Sequence, residues 1–253
     1  MVKLSVVVIT LNEEKNIGRC LDSVKDIADE ILIVDSGSTD RTKEICLSHN
    51  ARFISHPFEG HIEQKNYAQS QCQNEYILSI DADEALSPEL IRSISEVKSS
   101  WNEDGYSFNR LTNYCGKWIH HCGWYPDEKL RLFKKNAGQW MGTNPHDQFK
   151  LKTGKSAKLK GDLLHYSYYS VKEHLTQVNR FTDINSLSSY RQGKRSNIFL
   201  ICFKPIIRFI RDYIFHLGFL DGYYGFVICK ISANATFIKY VKLYELQKKD
   251  KEF

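Results

Sequence analysis

Short apolar runs alternate with segments of helical spacing in the first hundred residues. The run LSVVVI at residues 4–9 is apolar throughout, which is typical of a strand buried on both faces of a sheet. Ile17, Leu21 and Val24 then fall on one face of a predicted helix. Asn12 precedes that helix as a suitable N-cap. The runs EILIVD, ARFIS and EYILSI predict further strands with helices between them. This alternation predicts an α/β fold with a mostly parallel, Rossmann-like sheet.

The pattern changes twice in the rest of the chain. Residues 105–168 contain YSFNRL, LRLF and LLHYSYY, in which apolar and polar residues alternate, and this pattern predicts antiparallel strands. We expect these strands to line the part of the site that binds a second substrate. After about residue 170 the spacing becomes helical. We therefore predict two domains, a sheet domain over residues 1–170 and a helical C-terminal extension over residues 171–253.

The helical extension has an unusual composition. Residues 198–244 are rich in Phe, Tyr, Ile and Leu, and basic residues interrupt them every few positions. Its uncharged stretches reach eight residues, far short of the roughly 20 apolar residues that span a bilayer. Apolar helices with cationic flanks are typical of segments that lie on a membrane surface. The alternatives are a helix pair that caps the domain or a homodimer interface.

Composition and charge narrow the class of partner. The chain has 253 residues, of which 42% are hydrophobic and 26% charged, so we expect a globular protein. Its net charge of +5 is unevenly distributed, because residues 1–149 hold 16 basic and 22 acidic side chains and residues 150–253 hold 19 and 8. This asymmetry indicates an anionic partner. The tail is too hydrophobic for a nucleic-acid-binding module, so we expect a membrane surface and no nucleic acid.

The seven cysteines favour a reducing compartment. They form an odd set without any C-x-x-C spacing, so we expect free thiols and a cytoplasmic location. Cys115 and Cys122 flank His120 and His121, but this spacing matches none of the usual zinc patterns. The N-terminal apolar run has no small-residue cleavage site, and we expect no secretion.

Polar side chains follow three of the predicted strands. They are Thr10, Asn12 and Glu13 after the first strand, Asp35, Ser36 and Ser38 after the second, and Asp81 and Asp83 after the fourth. In open α/β sheets ligands bind outside the carboxyl ends of the strands, so a site is expected there. The paired carboxylates of SIDADEAL suit Mg²⁺ or Mn²⁺, which can bridge a diphosphate. Turn and N-cap roles are the alternative explanation for these residues.

Four ordered motifs carry a family resemblance. The segments VVVITLNEEKNIGRCLDSV, EILIVDSGSTDRT, QKNYA and YILSIDADE, in this order and spacing, resemble the family 2 inverting glycosyltransferases with the GT-A fold. The segments GWYPDEKLRLFKK, GTNPHDQF and LLHYSY, together with the tail, look like the lipopolysaccharide inner-core β-glucosyltransferase branch of that family.

The resemblance implies a role for individual residues. It implies that a nucleotide diphosphate sugar is bound by Thr10, Asn12, Glu13, Asp35, Ser36, Lys65, Asp81 and Ala82. Within this set, Asp35 would recognise the base and Lys65 would approach the diphosphate. The resemblance also implies that Mg²⁺ or Mn²⁺ is held mainly by Asp83, with Asp81 and His165 as further metal contacts. A structural role is the alternative for His165.

An inverting transfer requires a general base that removes the proton of the acceptor hydroxyl. The family usually places an acidic pair ahead of a helix, and this sequence has no Glu-Asp pair there. By position in the resemblance, Asp147 in PHDQF is the favoured base, and Asp127 in WYPDEKLRLF is its rival. Three tryptophans offer flat faces for sugar stacking or fill the core: Trp118, Trp124 and Trp140.

The leading hypothesis is therefore a metal-dependent hexosyltransferase. It would move glucose, from UDP-glucose or a relative, to a saccharide acceptor on a lipid, in lipopolysaccharide core or a related envelope glycan. The basic tail would keep it peripheral on the inner face of the cytoplasmic membrane. The alternatives are transfer to a polyprenyl phosphate and a non-catalytic scaffold that binds nucleotide sugars.

Overall fold

The chain folds as two compact units. The computed structural model describes residues 1–143 and 146–249. The first unit comprises Met1–Leu111 and Asp127–Tyr166, and the second comprises Thr112–Pro126 and Ser167–Phe253.

The division differs from the predicted boundary at residue 170 in two respects, of which the first is that the second unit resumes at Ser167. Residues 112–126 were expected in the sheet domain, but they group with the C-terminal helices. The reason is an apolar cluster in which Tyr114, Ile119 and Cys122 are buried with Ile228 and Cys229. Periodicity alone does not show which of two cores a short segment joins.

The first unit contains the alternating elements that the sequence predicts. Its helices are α1 (Ile17–Val24), α2 (Thr42–Ser48), α3 (His61–Gln71) and α4 (Pro88–Ser99). Its strands are β1 (Leu4–Thr10), β2 (Glu30–Asp35), β3 (Arg52–Ser55), β4 (Tyr76–Asp81), β5 (Glu84–Leu86), β6 (Gly105–Tyr114), β8 (Glu128–Lys134), β9 (Gly138–Thr143), β10 (His146–Leu151) and β11 (Ser156–Tyr168). Strands β6 and β11 continue into the second unit, and β7 (Lys117–Ile119) belongs to that unit.

The main sheet has the order β3-β2-β1-β4-β8-β6-β11-β5, and β9 and β10 form a separate antiparallel hairpin. Strands β3, β2, β1 and β4 are parallel, whereas β8 is antiparallel to β4. The register places Thr10 beside Asp35 and Ile9 beside Asp81. The predicted mixed α/β fold is confirmed, and the carboxyl ends of β1, β2 and β4 share one edge.

Strand β1 is buried on both faces, as its continuous apolar run predicts. Val6 and Val8 point into one core cluster with α1 and α4, whereas Val7 points into a second cluster on the opposite face. The second cluster also contains the stacked rings of Phe133 and Phe149, whose centroids lie 3.6 Å apart. The sheet is therefore covered on both faces at β1, which leaves its edges as the place for a ligand in this part of the chain.

Helix α1 begins later than predicted. It starts at Ile17 rather than just after Asn12, whose φ of 55° is left-handed. The Asn12 side chain accepts a hydrogen bond from the backbone N–H of Thr39, at 2.8 Å, and so cannot cap α1. The predicted N-cap of α4 is confirmed, because the Ser87 hydroxyl accepts a hydrogen bond from the backbone N–H of Leu90.

The second unit is mainly helical. It contains α5 (Val171–Arg191), α6 (Ile198–Ile210) and α7 (Gly222–Lys249), and both α5 and α6 pack on α7. A π-helical turn at Arg211–Phe215 and a 3₁₀ turn at Gly218–Asp221 join α6 to α7. Among the helices that the structure describes, none combines the length and the apolar character needed to cross a membrane.

Candidate functional site

The loops that follow β1 and β2 are fastened to each other. The backbone N–H of Asn12 donates to the Ser38 hydroxyl at 2.8 Å, and the backbone N–H of Glu13 donates to the Thr42 hydroxyl at 2.8 Å. With the bond from Thr39 to Asn12, these contacts hold two strand-end loops in one arrangement. Asn12 and Glu13 therefore lie beside the loop that follows β2.

Asp35 organises its own loop. Its carboxylate accepts hydrogen bonds from the backbone N–H of Gly37, at 2.9 Å, and of Ser38, at 2.8 Å, and from the Ser38 hydroxyl. The neighbouring Thr10 hydroxyl is buried and has no hydrogen-bond partner among the described residues. A buried hydroxyl without a partner is costly, so this edge suits a polar ligand.

Lys65 joins two carboxylates at the centre of the site. Its Nζ atom lies 2.8 Å from Oδ2 of Asp147 and 3.0 Å from Oδ1 of Asp81. The Lys65 side chain is 3% exposed, and its ammonium also lies 4.6 Å from the ring centroid of Trp140. A buried lysine needs such anionic partners, because desolvation of an isolated charge is costly.

A second cation, which the sequence analysis did not single out, faces the same carboxylate. Nη2 of Arg131 lies 3.0 Å from Oδ2 of Asp81 and 3.8 Å from Oε1 of Glu84. Arg110 lies 3.6 Å from that Glu84 oxygen and 2.8 Å from Asp127. A continuous row of alternating charges therefore runs from Asp147 through Lys65 to Asp127.

These charges set the protonation states of the central groups. Burial alone would raise the pKa of Asp81, but the charges of Lys65 and Arg131 outweigh it and hold that pKa well below its usual range. Burial raises the pKa of Glu13; a hydrogen bond from Asn16 opposes this rise, and the Asp83 carboxylate adds to it. Asp81 is accordingly ionised at neutral pH.

Asp83 contacts His165. Its Oδ2 lies 3.1 Å from Nε2 of His165, which β11 brings beside β5. The backbone supports this meeting, because Tyr166 N–H donates to the Asp83 carbonyl at 2.9 Å. Between Asp81 and Asp83, Ala82 is buried. The structure therefore brings together Asp83 and His165, although 82 positions separate them.

The donor set at Asp83 fits a divalent cation. A carboxylate oxygen and an imidazole nitrogen are both ligands for Mn²⁺, and two protein ligands leave positions for water and diphosphate oxygens. Both oxygens of Asp81 already face cations, so Asp81 is a poorer donor than predicted. Within residues 1–143 and 146–249, no cluster of three His, Cys, Asp or Glu side chains forms a complete protein site. A cation there would take some of its ligands from the protein and others from a substrate.

The two candidate bases differ in their surroundings. Asp147, in β10, and Asp81 both form ion pairs with Lys65. Asp127 lies at the far end of the charged row, with Arg110 at 2.8 Å and Lys129 at 2.8 Å from its oxygens. The geometry therefore favours Asp147 as the carboxylate that shares a site with Lys65.

The three tryptophans differ in their surroundings. Trp140 is buried and packs against Phe133 and Phe149, so it belongs to the core and offers no open face to a sugar. Trp124 and Trp118 are half-buried residues of the second unit. Trp124 packs edge to face against Tyr114.

The charges that sequence reasoning missed are the buried Arg131 and Glu84 and the half-buried Arg110. An isolated charge inside a strand usually lies on a solvated face. The signal that could have found Arg131 is its place between Leu130 and Leu132 in a strand at the centre of the sheet. A basic side chain at such a position is buried and must be paired.

Comparison with known proteins identifies relatives of the whole chain. The sequence profile of Glycosyl transferase family 2 matches residues 5–152. An uncharacterized glycosyltransferase of Rickettsia typhi is 33% identical over 262 residues, which cover 99% of this chain and 90% of the relative. A lipopolysaccharide core biosynthesis glycosyltransferase of Rhizobium meliloti, LpsC, is 29% identical over 254 residues, which cover 96% of this chain and 92% of LpsC.

Solved structures with related chains are more distant. TarS 1-349 from S. aureus is 15% identical, covers 98% of this chain and 92% of its own, and has a TM-score of 0.47. Glucosyl-3-phosphoglycerate synthase from Mycobacterium tuberculosis, in complex with Mn²⁺ and UDP-glucose, is 23% identical, covers 44% of each chain and has a TM-score of 0.37.

Proposed function

Because this chain belongs to glycosyl transferase family 2, we propose that it transfers a hexose from a nucleoside diphosphate sugar to a saccharide acceptor. We assign glucose from UDP-glucose as the donor and a lipid-linked sugar of lipopolysaccharide core, or of a related envelope glycan, as the acceptor. The relative that acts in lipopolysaccharide core biosynthesis supports this acceptor class. The observation that carries the proposal is the meeting of Thr10, Asp35 and Asp81 at one sheet edge, with Lys65 beside them.

The nucleoside would lie against the fastened loops after β1 and β2. The Thr10 hydroxyl lacks a partner in the described chain and can bond to the donor, and Asn12, Glu13 and Ser36 line the same edge. A carboxylate oxygen accepts more than one hydrogen bond, so Asp35 can still accept one from the base. Donor binding and catalysis are therefore assigned to the sheet unit.

The diphosphate would lie between Lys65 and the pair of Asp83 and His165. The Lys65 ammonium stabilises the negative charge that develops on the leaving diphosphate. A divalent cation, Mg²⁺ or Mn²⁺, bound by Asp83 and His165 supplies further neutralisation of that charge. Asp81 keeps its contacts with Lys65 and Arg131 and positions these two side chains.

Asp147 is the proposed general base. Its carboxylate accepts the proton of the acceptor hydroxyl while the hydroxyl oxygen forms a bond to the anomeric carbon. The bond from that carbon to the diphosphate oxygen breaks, and its electron pair leaves with the nucleoside diphosphate. A diphosphate that draws Lys65 toward itself would release Asp147 from the 2.8 Å ion pair, so the base becomes available after the donor has bound.

The helical unit would keep the enzyme peripheral on the inner face of the cytoplasmic membrane. Its exposed apolar and basic side chains support this location, because lipid-linked acceptors are available at that surface. This location would bring the enzyme to its lipid-linked acceptor.

The first test measures nucleotide binding and release on the full-length protein. We expect UDP to bind in the presence of Mn²⁺ or Mg²⁺, and one sugar from a panel of UDP- and dTDP-sugars to be hydrolysed slowly to release UDP. Asp83→Ala should abolish metal-dependent release. The exposed Asp22 supplies the control Asp22→Asn, which should behave like the wild type. Absence of UDP and dTDP binding with metal present would reject the donor assignment.

A further inference from the structure

Helix α6 presents an apolar surface to the outside of the second unit. None of its residues is fully buried. Five of its large apolar side chains are between 44% and 70% exposed, and we call them the α6 face: Phe199, Phe203, Ile206, Ile207 and Ile210. Contiguous apolar surface of this kind is rarely left bare on a soluble monomer.

Most of the α6 face is turned away from the side of the helix that packs on α7. An α-helix turns by about 100° per residue, so the five residues of the face fall within an arc of about 100°. Ile201, Pro205 and Phe209 fall outside that arc and line the groove shared with α7, and Ile206, at one edge of the face, borders the same groove. The Phe209 ring also contacts Phe226 of α7, at 5.9 Å between centroids. Packing within the unit therefore explains one apolar side of α6 and leaves the other unexplained.

The charge around α6 indicates what covers this face. No acidic residue occurs in residues 184–211, whereas six basic residues do: Arg191, Lys194, Arg195, Lys204, Arg208 and Arg211. The buried carboxylate of Asp212 accepts contacts from Arg208 and Arg211 and neutralises one of these charges. The remaining charge is positive, which complements anionic lipid headgroups.

The apolar surface continues beyond the end of α6. Phe215 and Leu220, in the turns that join α6 to α7, are 76% and 55% exposed, and Tyr223, at the start of α7, is 72% exposed. Aromatic rings at the border of an apolar patch are favoured at the level of lipid headgroups. The patch therefore combines an apolar helix face, a cationic edge and an aromatic border.

We propose that α6 lies in the plane of an anionic lipid surface. The α6 face enters the boundary between headgroups and acyl chains, and Lys204 lies at the level of the lipid phosphates. This inference rests on the proposed function in one point, which is that the acceptor is linked to a lipid and therefore lies at a membrane surface. Binding to lipid requires neither donor nor metal, so it can succeed or fail independently of the transferase.

The test is co-sedimentation of the full-length protein with lipid vesicles. One set of vesicles consists of phosphatidylcholine, and the other of phosphatidylcholine mixed with phosphatidylglycerol. We expect binding to the anionic vesicles, weakened by salt, and much weaker binding to the neutral ones. Equal binding to both sets, or no binding to either, would overturn the proposal.

Three variants locate the contact. The double variant Phe203→Asp with Ile207→Asp should lower the affinity for anionic vesicles by about tenfold or more. Lys204→Gln should lower that affinity about fivefold and leave the weak binding to neutral vesicles unchanged. The control is Leu175→Asp in α5, an apolar residue that is also 45% exposed, and it should bind like the wild type.

Folding and self-association are measured on the same samples. Circular dichroism should be the same for all variants, and metal-dependent UDP release without acceptor should be retained, since none of these residues lies in the sheet unit. Analytical ultracentrifugation without lipid reports the rival occupant, a second copy of this chain. A dimer that Phe203→Asp with Ile207→Asp dissociates, in a protein that binds no vesicles, would replace the lipid surface with a homodimer interface.

Discussion

The ammonium nitrogen of Lys65 lies 2.8 Å from Oδ2 of Asp147, although 82 positions separate the two residues in the chain. The contact joins α3 to β10. It places the cation proposed for the diphosphate and the carboxylate proposed as general base in one ion pair. The state of either group therefore depends on the other, and this dependence can be measured.

Removal of Lys65 should destabilise the protein. In Lys65→Met, Asp81 and Asp147 lose a shared cation in a poorly solvated place, and we expect the free energy of unfolding to fall by about 3 kcal/mol. The measurement is urea denaturation at neutral pH. Lys25→Met, which breaks an exposed pair with Asp22, should cost less than about 0.5 kcal/mol.

A double-mutant cycle isolates the pair itself. Adding Asp147→Asn to Lys65→Met should restore part of the lost stability, because one uncompensated carboxylate is removed. A coupling energy of about 1–3 kcal/mol is expected for groups in contact. Additive effects of the two substitutions would show that the ion pair does not form in solution.

The two candidate bases should separate in steady-state kinetics. Asp147→Asn should lower kcat for transfer about 100-fold or more and leave UDP binding within about threefold of the wild type, because a general base acts on the acceptor. Asp127→Asn keeps an oxygen near Arg110 and should change kcat less than about threefold. The reverse pattern would assign the proton transfer to Asp127.

The metal assignment predicts a shared loss of affinity. Asp83→Asn and His165→Gln should each weaken Mn²⁺ binding in the presence of UDP by about tenfold or more, because each removes one of two protein ligands. Isothermal titration calorimetry of Mn²⁺ into the UDP complex supplies the number. If His165→Gln binds Mn²⁺ like the wild type while Asp83→Asn does not, His165 is structural and orients Asp83.

The second unit should lose stability in mild acid through His174. Burial lowers the pKa of His174 to about 4, whereas an unfolded histidine has a pKa of about 6.5. The unfolded chain therefore binds the proton first, and stability falls as the pH drops from about 6.5 to about 4. From pH 7 to pH 5 we expect a loss of about 2 kcal/mol from this residue.

Urea denaturation of the full-length protein at the two pH values tests this expectation. Other groups also titrate, so the measured quantity is the difference between the wild type and His174→Gln. The variant loses the packing of a ring that lies 3.0 Å from the Tyr114 hydroxyl, and it should be less stable at pH 7. Its stability should nevertheless fall less on acidification. An equal fall in both proteins would contradict a neutral, buried His174.

The sequence predicted the elements of the sheet better than the contacts between them. Apolar periodicity reports local burial, and it located β1, β2 and β4 within one or two residues of their observed bounds. The family resemblance, rather than the periodicity, put Asp83 and His165 on the list of site residues. The ion pair of Lys65 with Asp147 depends on how α3 meets the β9–β10 hairpin, and no local pattern encodes that meeting.

The residues that were missed share a physical cause. Arg131 and Glu84 are charged residues in buried strands, and their burial is tolerated because Arg131 pairs with Asp81 and Glu84, and Glu84 also pairs with Arg110. Sequence patterns treat such residues singly, and a single charge reads as exposed. The predicted start of α1 just after Asn12 was wrong because of another distant contact, since the Asn12 side chain bonds to a loop 27 positions away.

The bonds between the loops after β1 and β2 have a consequence for how a nucleotide is received. Asn12, Glu13, Ser38 and Thr42 are locked together by hydrogen bonds within the chain itself. The conformational freedom of these loops is therefore lost during folding rather than during ligand capture, which leaves more of the contact energy as affinity. A nucleoside that binds at these loops would therefore meet a surface that is already arranged.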